Sequence, residues 1–86
     1  MIDREKYLLA KANGLEERFR GDEISRRIAQ EYPLSAQIAL LMDKDDKPDE
    51  WTQYQEFRSK IKSEVDAEIA GIDKDIIITE DYSYED

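Results

Sequence analysis

Twenty-two carboxylates in 86 residues are the first chemistry this sequence offers. The densest run, Asp43-Lys44-Asp45-Asp46-Lys47-Pro48-Asp49-Glu50, is rich in oxygen donors and lies between two helical patterns, where a helix–loop–helix calcium site would sit. Set against D-x-[DN]-x-[DN]-G-x5-E from Asp43, it fails. Lys47 takes the fifth position, Pro48 stands where glycine makes the sharp turn, and Tyr54 replaces the closing glutamate. The run reads instead as a solvated loop. Pro48 suits the first position of the following helix, and Asp49 and Glu50 suit the positive end of its dipole. Two carboxylates working as acid and base need a cleft that raises one pKa. A short helical chain offers little cleft, and few of these carboxylates occupy apolar-face positions. The sequence contains no histidine and no cysteine. That excludes the usual zinc sites, Ser-His and Cys-His nucleophiles, haem ligation and disulfides. No GxGxxG, Walker or GxSxG pattern is present. No catalytic residue, cofactor or metal ligand is expected, and the protein reads as non-enzymatic.

One domain is the most such a length allows. Leu, Ile, Val and Phe number 19, just above the fraction below which chains fail to build a core, and 41% of residues are charged. Stability must come from packing alone, so a partner or an oligomer is a natural complement. The net charge of −9 is unevenly placed. Residues 1–20 carry +1, 21–42 carry −1, 43–50 carry −3, 51–70 carry −1 and 71–86 carry −5. Most of the excess therefore sits in one loop and the C-terminal tail. No Lys/Arg stripe with interleaved aromatics appears, and the sign is wrong for a phosphate backbone, so direct nucleic-acid binding is not expected. No apolar stretch is long enough to span a membrane, and MIDREKYLLAKANG lacks the apolar region of a signal peptide. The expected location is the cytoplasm, or a particle assembled there.

Helical spacing dominates the chain. Leu8, Ala12, Leu15 and Phe19 make one stripe, interrupted by Asn13-Gly14. One helix from about Asp3 to Arg20, kinked at Gly14 and ended by Gly21, is favoured over a break at Gly14. A second helix is expected from Asp22 as N-cap, with Ile24, Ile28 and Tyr32 as its face and Pro33 as its stop. A short third follows Ser35 as N-cap, with Ile38, Leu41 and Met42 as its apolar face. The strongest pattern is the last: Trp51, Tyr54, Ile61, Val65, Ile69 and Ile72 share one stripe, with Phe57 beside it. Arg58 and Glu68 fall near that stripe and must snorkel or pair. Gly71 is expected to end the helix. Trp51, Tyr54 and Phe57 are expected to pack on Ile38, Leu41 and Met42 in a helical hairpin, or else to present Trp51 and Tyr54 as aromatic anchors for a partner.

The tail changes character. Ile76, Ile78, Tyr82 and Tyr84 share one parity, and Thr79, Asp81, Ser83 and Glu85 the other, broken by Ile77 and Glu80. This is strand alternation with no second strand to pair with. The tail is then either a mobile acidic terminus or an arm that adds a strand to another molecule's sheet edge. On the second reading Ile76, Ile77, Ile78, Tyr82 and Tyr84 contact the partner.

Residues 34–64 carry a resemblance. Leu34-Ser35 precedes Ile38-Ala39-x-Leu41, an acidic loop follows, then Lys47-Pro48-Asp49-Glu50, Tyr54, Phe57, Lys62 and Glu64. This resembles a group of short proteins encoded in the tail modules of bacteriophages and prophages. The resemblance implies a virion or assembly context, with the host cytoplasm and then the virion as locations. It implies no activity and no binding residue.

The expected fold is all-α, with three or four helices over residues 1–72 and an extended acidic C-terminal arm over 73–86. The expected function is non-catalytic binding of protein partners, such as other virion or tail subunits, through the helical body and the arm. A second reading is an acidic nucleic-acid mimic that inhibits a host defence or regulatory protein. A third is a homo-oligomeric bundle joined through Leu8, Leu15 and Phe19.

Overall fold

A computed structural model describes the backbone of residues 1–84 and the side chains of residues 1–75. Four helices and no strand occur among the described residues. They are α1 (Arg4–Ala12), α2 (Glu16–Glu31), α3 (Leu34–Asp43) and α4 (Pro48–Tyr84). The all-α expectation holds, and several boundaries differ from it for local physical reasons.

The first stripe is two helices, not one. Asp3 caps α1 by accepting from the Lys6 amide at 3.2 Å. At the other end the Leu15 amide donates to the Ala10 carbonyl at 2.8 Å and the Gly14 amide to the Lys11 carbonyl at 3.1 Å. These are the paired bonds of a Schellman turn, which needs a left-handed residue between them. Gly14 supplies it, with φ of +70°. Gly21, by contrast, lies inside α2 and ends nothing. Burying Ile24 and Ile28 outweighs the roughly 1 kcal/mol a helical glycine costs. The two glycines should therefore respond oppositely to alanine. Gly21→Ala meets no atom within 4 Å and should stabilise by about 0.5–1 kcal/mol. Gly14→Ala meets equally open space and should destabilise by about 1–2 kcal/mol, because only its backbone conformation is at fault. Thermal unfolding of the pair checks both signs.

Tyr32 and Pro33 end α2 as expected. Pro33, not Ser35, is the N-cap of α3. The acidic loop turns on two amides, Asp46 and Lys47, that donate to the Asp43 carbonyl at 2.9 and 2.8 Å. Pro48 then opens α4, with Asp49 and Glu50 in its first turn.

The largest difference is at the C-terminus. Gly71 does not stop α4, which runs on to Tyr84. The extended arm expected over 73–86 is helical as far as Tyr84. A strand there has no ladder partner among the described residues, whereas a helix satisfies its own backbone groups. At 37 residues, α4 is about 55 Å long and accounts for most of the 63 Å length of the molecule.

α2 packs along α4 more extensively than any other pair does. The core is Ile2 and Tyr7 from the N-terminal segment, Ile24 and Ile28 from α2, and Tyr54, Ile61 and Val65 from α4. Leu8, Phe19, Tyr32, Leu40, Trp51, Phe57, Ile69 and Ile72 pack around it. The stripe expected on residues 51–72 is thus the spine of the fold. Leu8 and Phe19 are packed on this core, with the Phe19 ring edge-on to Tyr7 at 5.5 Å. Leu8 and Phe19 are thus partly taken up within the chain, whereas Leu15 is 48% exposed.

Candidate binding surface

The rotation of α3 about its own axis creates the main candidate surface, and one polar side chain sets that rotation. Gln37 donates through Nε2 to the Tyr32 carbonyl at 2.7 Å, and its Oε1 accepts from the Tyr54 hydroxyl at 2.6 Å. Gln37 must therefore face inward, along with half-buried Ala36 and Leu40. The stripe Leu34, Ile38, Leu41 and Met42 is then turned outward, at 69%, 50%, 54% and 79% exposure. No residue of α3 is fully buried.

The expected hairpin contact changes accordingly. Tyr32, from the end of α2, takes the place foreseen for Ile38, Leu41 and Met42. Its ring lies 5.1 Å from Tyr54 and 5.3 Å from Phe57. Trp51 stands 5.7 Å from Tyr54 and is half-buried, with the Lys44 ammonium 5.8 Å from its ring. Of the two expected aromatic anchors, Tyr54 is in the core at 5% exposure, and only Trp51 reaches the surface. Arg58 lies over the Tyr54 ring at 5.7 Å, so the charge near the apolar stripe is held by an aromatic face. Ile38, Leu41, Trp51 and Arg58 line a shallow cleft of about 210 Å³ that joins the outward face of α3 to the head of α4. The side chains of Ile76, Ile77, Ile78, Tyr82 and Tyr84 lie outside the described residues, and only their helical backbone is placed.

Toward the other end of the molecule, from the middle of α4 onward, the side-chain bonds between helices are polar. Arg27 on α2 donates to Glu68 on α4 through both terminal nitrogens, at 2.6 and 2.9 Å. Its Nε donates to Glu23 at 2.9 Å, and Glu23 also pairs with Arg26 at 2.6 Å. Glu68 accepts in addition from the Ile2 amide at 2.8 Å. The Arg27 hydrogen bonds, against a desolvation penalty, hold the Glu68 carboxyl down at about 2. Burial works to raise Glu23, and Arg26 and Arg27 outweigh it. Arg20 likewise binds Asp66 through two nitrogens and lowers its pKa. Two turns further on, Asp73 accepts from Lys11 at 2.7 Å and from the Tyr7 hydroxyl at 2.8 Å. Burial, then the bond to Asp73, pushes the Tyr7 phenol up to about 12, while Lys11 draws Asp73 below the usual carboxylate range. Arg4 reaches Asp75 at 3.3 Å. Sequence reading had set Glu68 aside as a charge needing a partner, and Arg27 is that partner. The bonds to Asp73 and Asp75 carried no sequence signal.

A third feature is a groove of about 780 Å³ beside α4, bordered by Met1, Ile2, Arg4, Ala67, Glu68, Gly71, Ile72, Lys74 and Asp75. Its apolar floor comes from Ile2 and Ile72, which belong to the core or pack on it. Among the described residues no cluster of three or more acidic side chains could hold a metal ion, and no helix is long and apolar enough to cross a membrane. Compared with family models, curated proteins and solved structures, the chain matches none.

Proposed function

We propose that this protein is a non-enzymatic binding component, a phage structural or assembly subunit that engages protein partners through its helical body. The observation that carries the reading is the outward stripe of α3. Four large apolar side chains lie at one helical face, each at least half exposed, in a chain otherwise rich in charge. Such a patch on a small protein marks an interaction surface. An α-helix presenting anchors at i, i+4, i+7 and i+8 suits helix-on-helix docking. The phage context rests on the resemblance over residues 34–64 alone.

The shifted carboxylates support a structural role for the polar end. Glu23, Asp66, Glu68 and Asp73 are each engaged by a cation of the same chain. The mimic reading needs its carboxylates fixed on a rigid face, and these four, held on the packed helices, are already taken. Salt separates the two. Docking on α3 should barely respond to ionic strength, whereas a mimic should lose affinity steeply.

The test is co-purification with phage virion and tail subunits, using wild type and Leu41→Glu. Leu41 is half exposed, so the fold should survive the change while complex formation fails. Equal recovery of a partner with both proteins would remove α3 from the function.

A further inference from the structure

We infer that α3 is the two-fold contact of a homodimer, packing antiparallel on α3 of a second copy about an axis passing near Ile38. This rests on reading α3 as the docking surface, and it names the occupant.

Area permits it. Four large side chains at those exposures present on the order of 500 Å² per copy, near the top of what a monomer shows in one patch. Two copies that covered these side chains completely would bury about 1,000 Å², the lower bound for a specific interface.

Charge selects the partner. Residues 34–42 contain no charged side chain, although the chain carries −9. Two copies can meet there without setting like charges against each other, and a basic partner gains nothing from the face. The ends of α3 are more specific. Its first turn holds no acidic residue, and its Pro33 cap makes no side-chain hydrogen bond. Its last turn, where a helix favours cations, holds no base and leads into Asp43, Asp45 and Asp46. Lys44 caps the C-terminal end but is outnumbered there by three aspartates, so that end is net acidic while the N-terminal end carries no acid, the reverse of what the helix's own dipole favours. An antiparallel second copy corrects both at once, because each acidic cluster comes beside the other copy's uncapped N-terminus. A parallel arrangement corrects neither. Lys44 of the same loop is drawn toward Trp51 instead.

Shape fits the same axis. With the two-fold at Ile38, Leu34 faces Met42 of the second copy, Leu41 faces the small Ser35, and the Ile38 side chains meet each other. Asp43 then falls opposite Pro33, the N-cap. The surface is self-complementary, as a two-fold interface requires.

Sedimentation of the full chain across the micromolar to sub-millimolar range, with two kinds of variant, tests this. The protein has no cysteine. Ile38→Cys should therefore give a disulfide-linked dimer under mild oxidation, while Ser25→Cys, exposed on α2, should not. Wild type should double in mass with concentration. Ile38→Glu should raise the dissociation constant at least tenfold while melting like wild type at concentrations where both are monomeric, because Ile38 is half exposed. A wild type that stays monomeric throughout overturns the homodimer, as does a dimer indifferent to Ile38→Glu. A monomer that binds a different protein through α3, and loses it in Ile38→Glu, also overturns the homodimer but leaves the proposed binding function standing. A partner bound equally by wild type and Ile38→Glu, with wild type monomeric throughout, removes both.

Discussion

Tyr54→Ala is expected to cost about 3–5 kcal/mol, the range for truncating a buried aromatic. The ring is 5% exposed and sits at the junction of three helices, against Tyr32 from the end of α2 and Trp51 on its own helix. Its loss opens a cavity there and strands the Gln37 carbonyl oxygen, which orients α3. In a domain whose total stability is about 5–15 kcal/mol, the variant should melt roughly 15 °C or more below wild type. Tyr54→Phe keeps the ring and removes only the hydroxyl bond, so about 1 kcal/mol is expected. Thermal and denaturant unfolding of the two variants checks the ratio. An aromatic anchor for a partner would behave the other way: the fold would survive Tyr54→Ala and only binding would fail. A well-folded Tyr54→Ala protein would therefore contradict the placement of this ring in the core.

How far the sequence could be read depended on whether one pattern decided each element. In α4 the apolar residues from Trp51 to Ile72 recur every three or four positions with polar residues between them, so type and face were both readable. In α3 they were not equally so. Residues 34–42 are apolar at most positions, and the pattern alone assigns no inward face. A single hydrogen-bonded glutamine chose it, using partners five and seventeen residues away. Gln37 was the clue: a polar residue within an apolar helix marks either the solvent side or a satisfied buried contact. At the N-terminus, Leu8, Ala12, Leu15 and Phe19 keep helical period straight across Gly14, so periodicity gave no sign of the break. The Schellman bonds did break it there, and left Gly21 in a helix.

The backbone of the tail differs from the strand pattern of its sequence for a related reason. Period-two alternation over a few residues is weak evidence when no second strand is available, and a helix closes its own hydrogen bonds without help. Tertiary anchoring favours the helix as well. Asp73 and Asp75 are tied to α1, which carries the helical register past Gly71. Those bonds span more than sixty residues of sequence and follow only from the docked position of α1.

Acid should weaken this protein chiefly through Glu68, and removing Arg27 should both weaken it and abolish most of that acid sensitivity. Glu68 is drawn from 4.5 to about 2, first by its hydrogen bonds to Arg27 and then, burial opposing, by the Ile2 amide. A depressed folded-state pKa stabilises the protein above the unfolded value and ceases to do so as pH falls through the folded one. With the Glu68 side chain 22% exposed, this linkage amounts to at most about 3 kcal/mol. It is fully present above about pH 5 and lost by about pH 2. Glu23, Asp66 and Asp73 are shifted in the same direction and add to the slope. The wild-type melting temperature should therefore be level from neutrality to about pH 5 and then fall. Arg27→Met leaves two carboxylates, Glu23 and Glu68, facing the space of one lost cation that was 13% exposed. Stranding partly buried charges in this way should cost about 2–4 kcal/mol at neutral pH. In that variant Glu68 keeps only the Ile2 amide and the N-terminal ammonium against burial and against Glu23, so much less stability is lost when it is protonated. Its melting temperature should fall less steeply than the wild type's over the acid range, with Asp66 and Asp73 supplying the slope that remains. The double variant Arg27→Met/Glu68→Met replaces the pair with apolar side chains and should recover most of the single variant's loss. If Arg27→Met kept the wild-type acid slope, the Arg27–Glu68 bond could not be the fastening between α2 and α4.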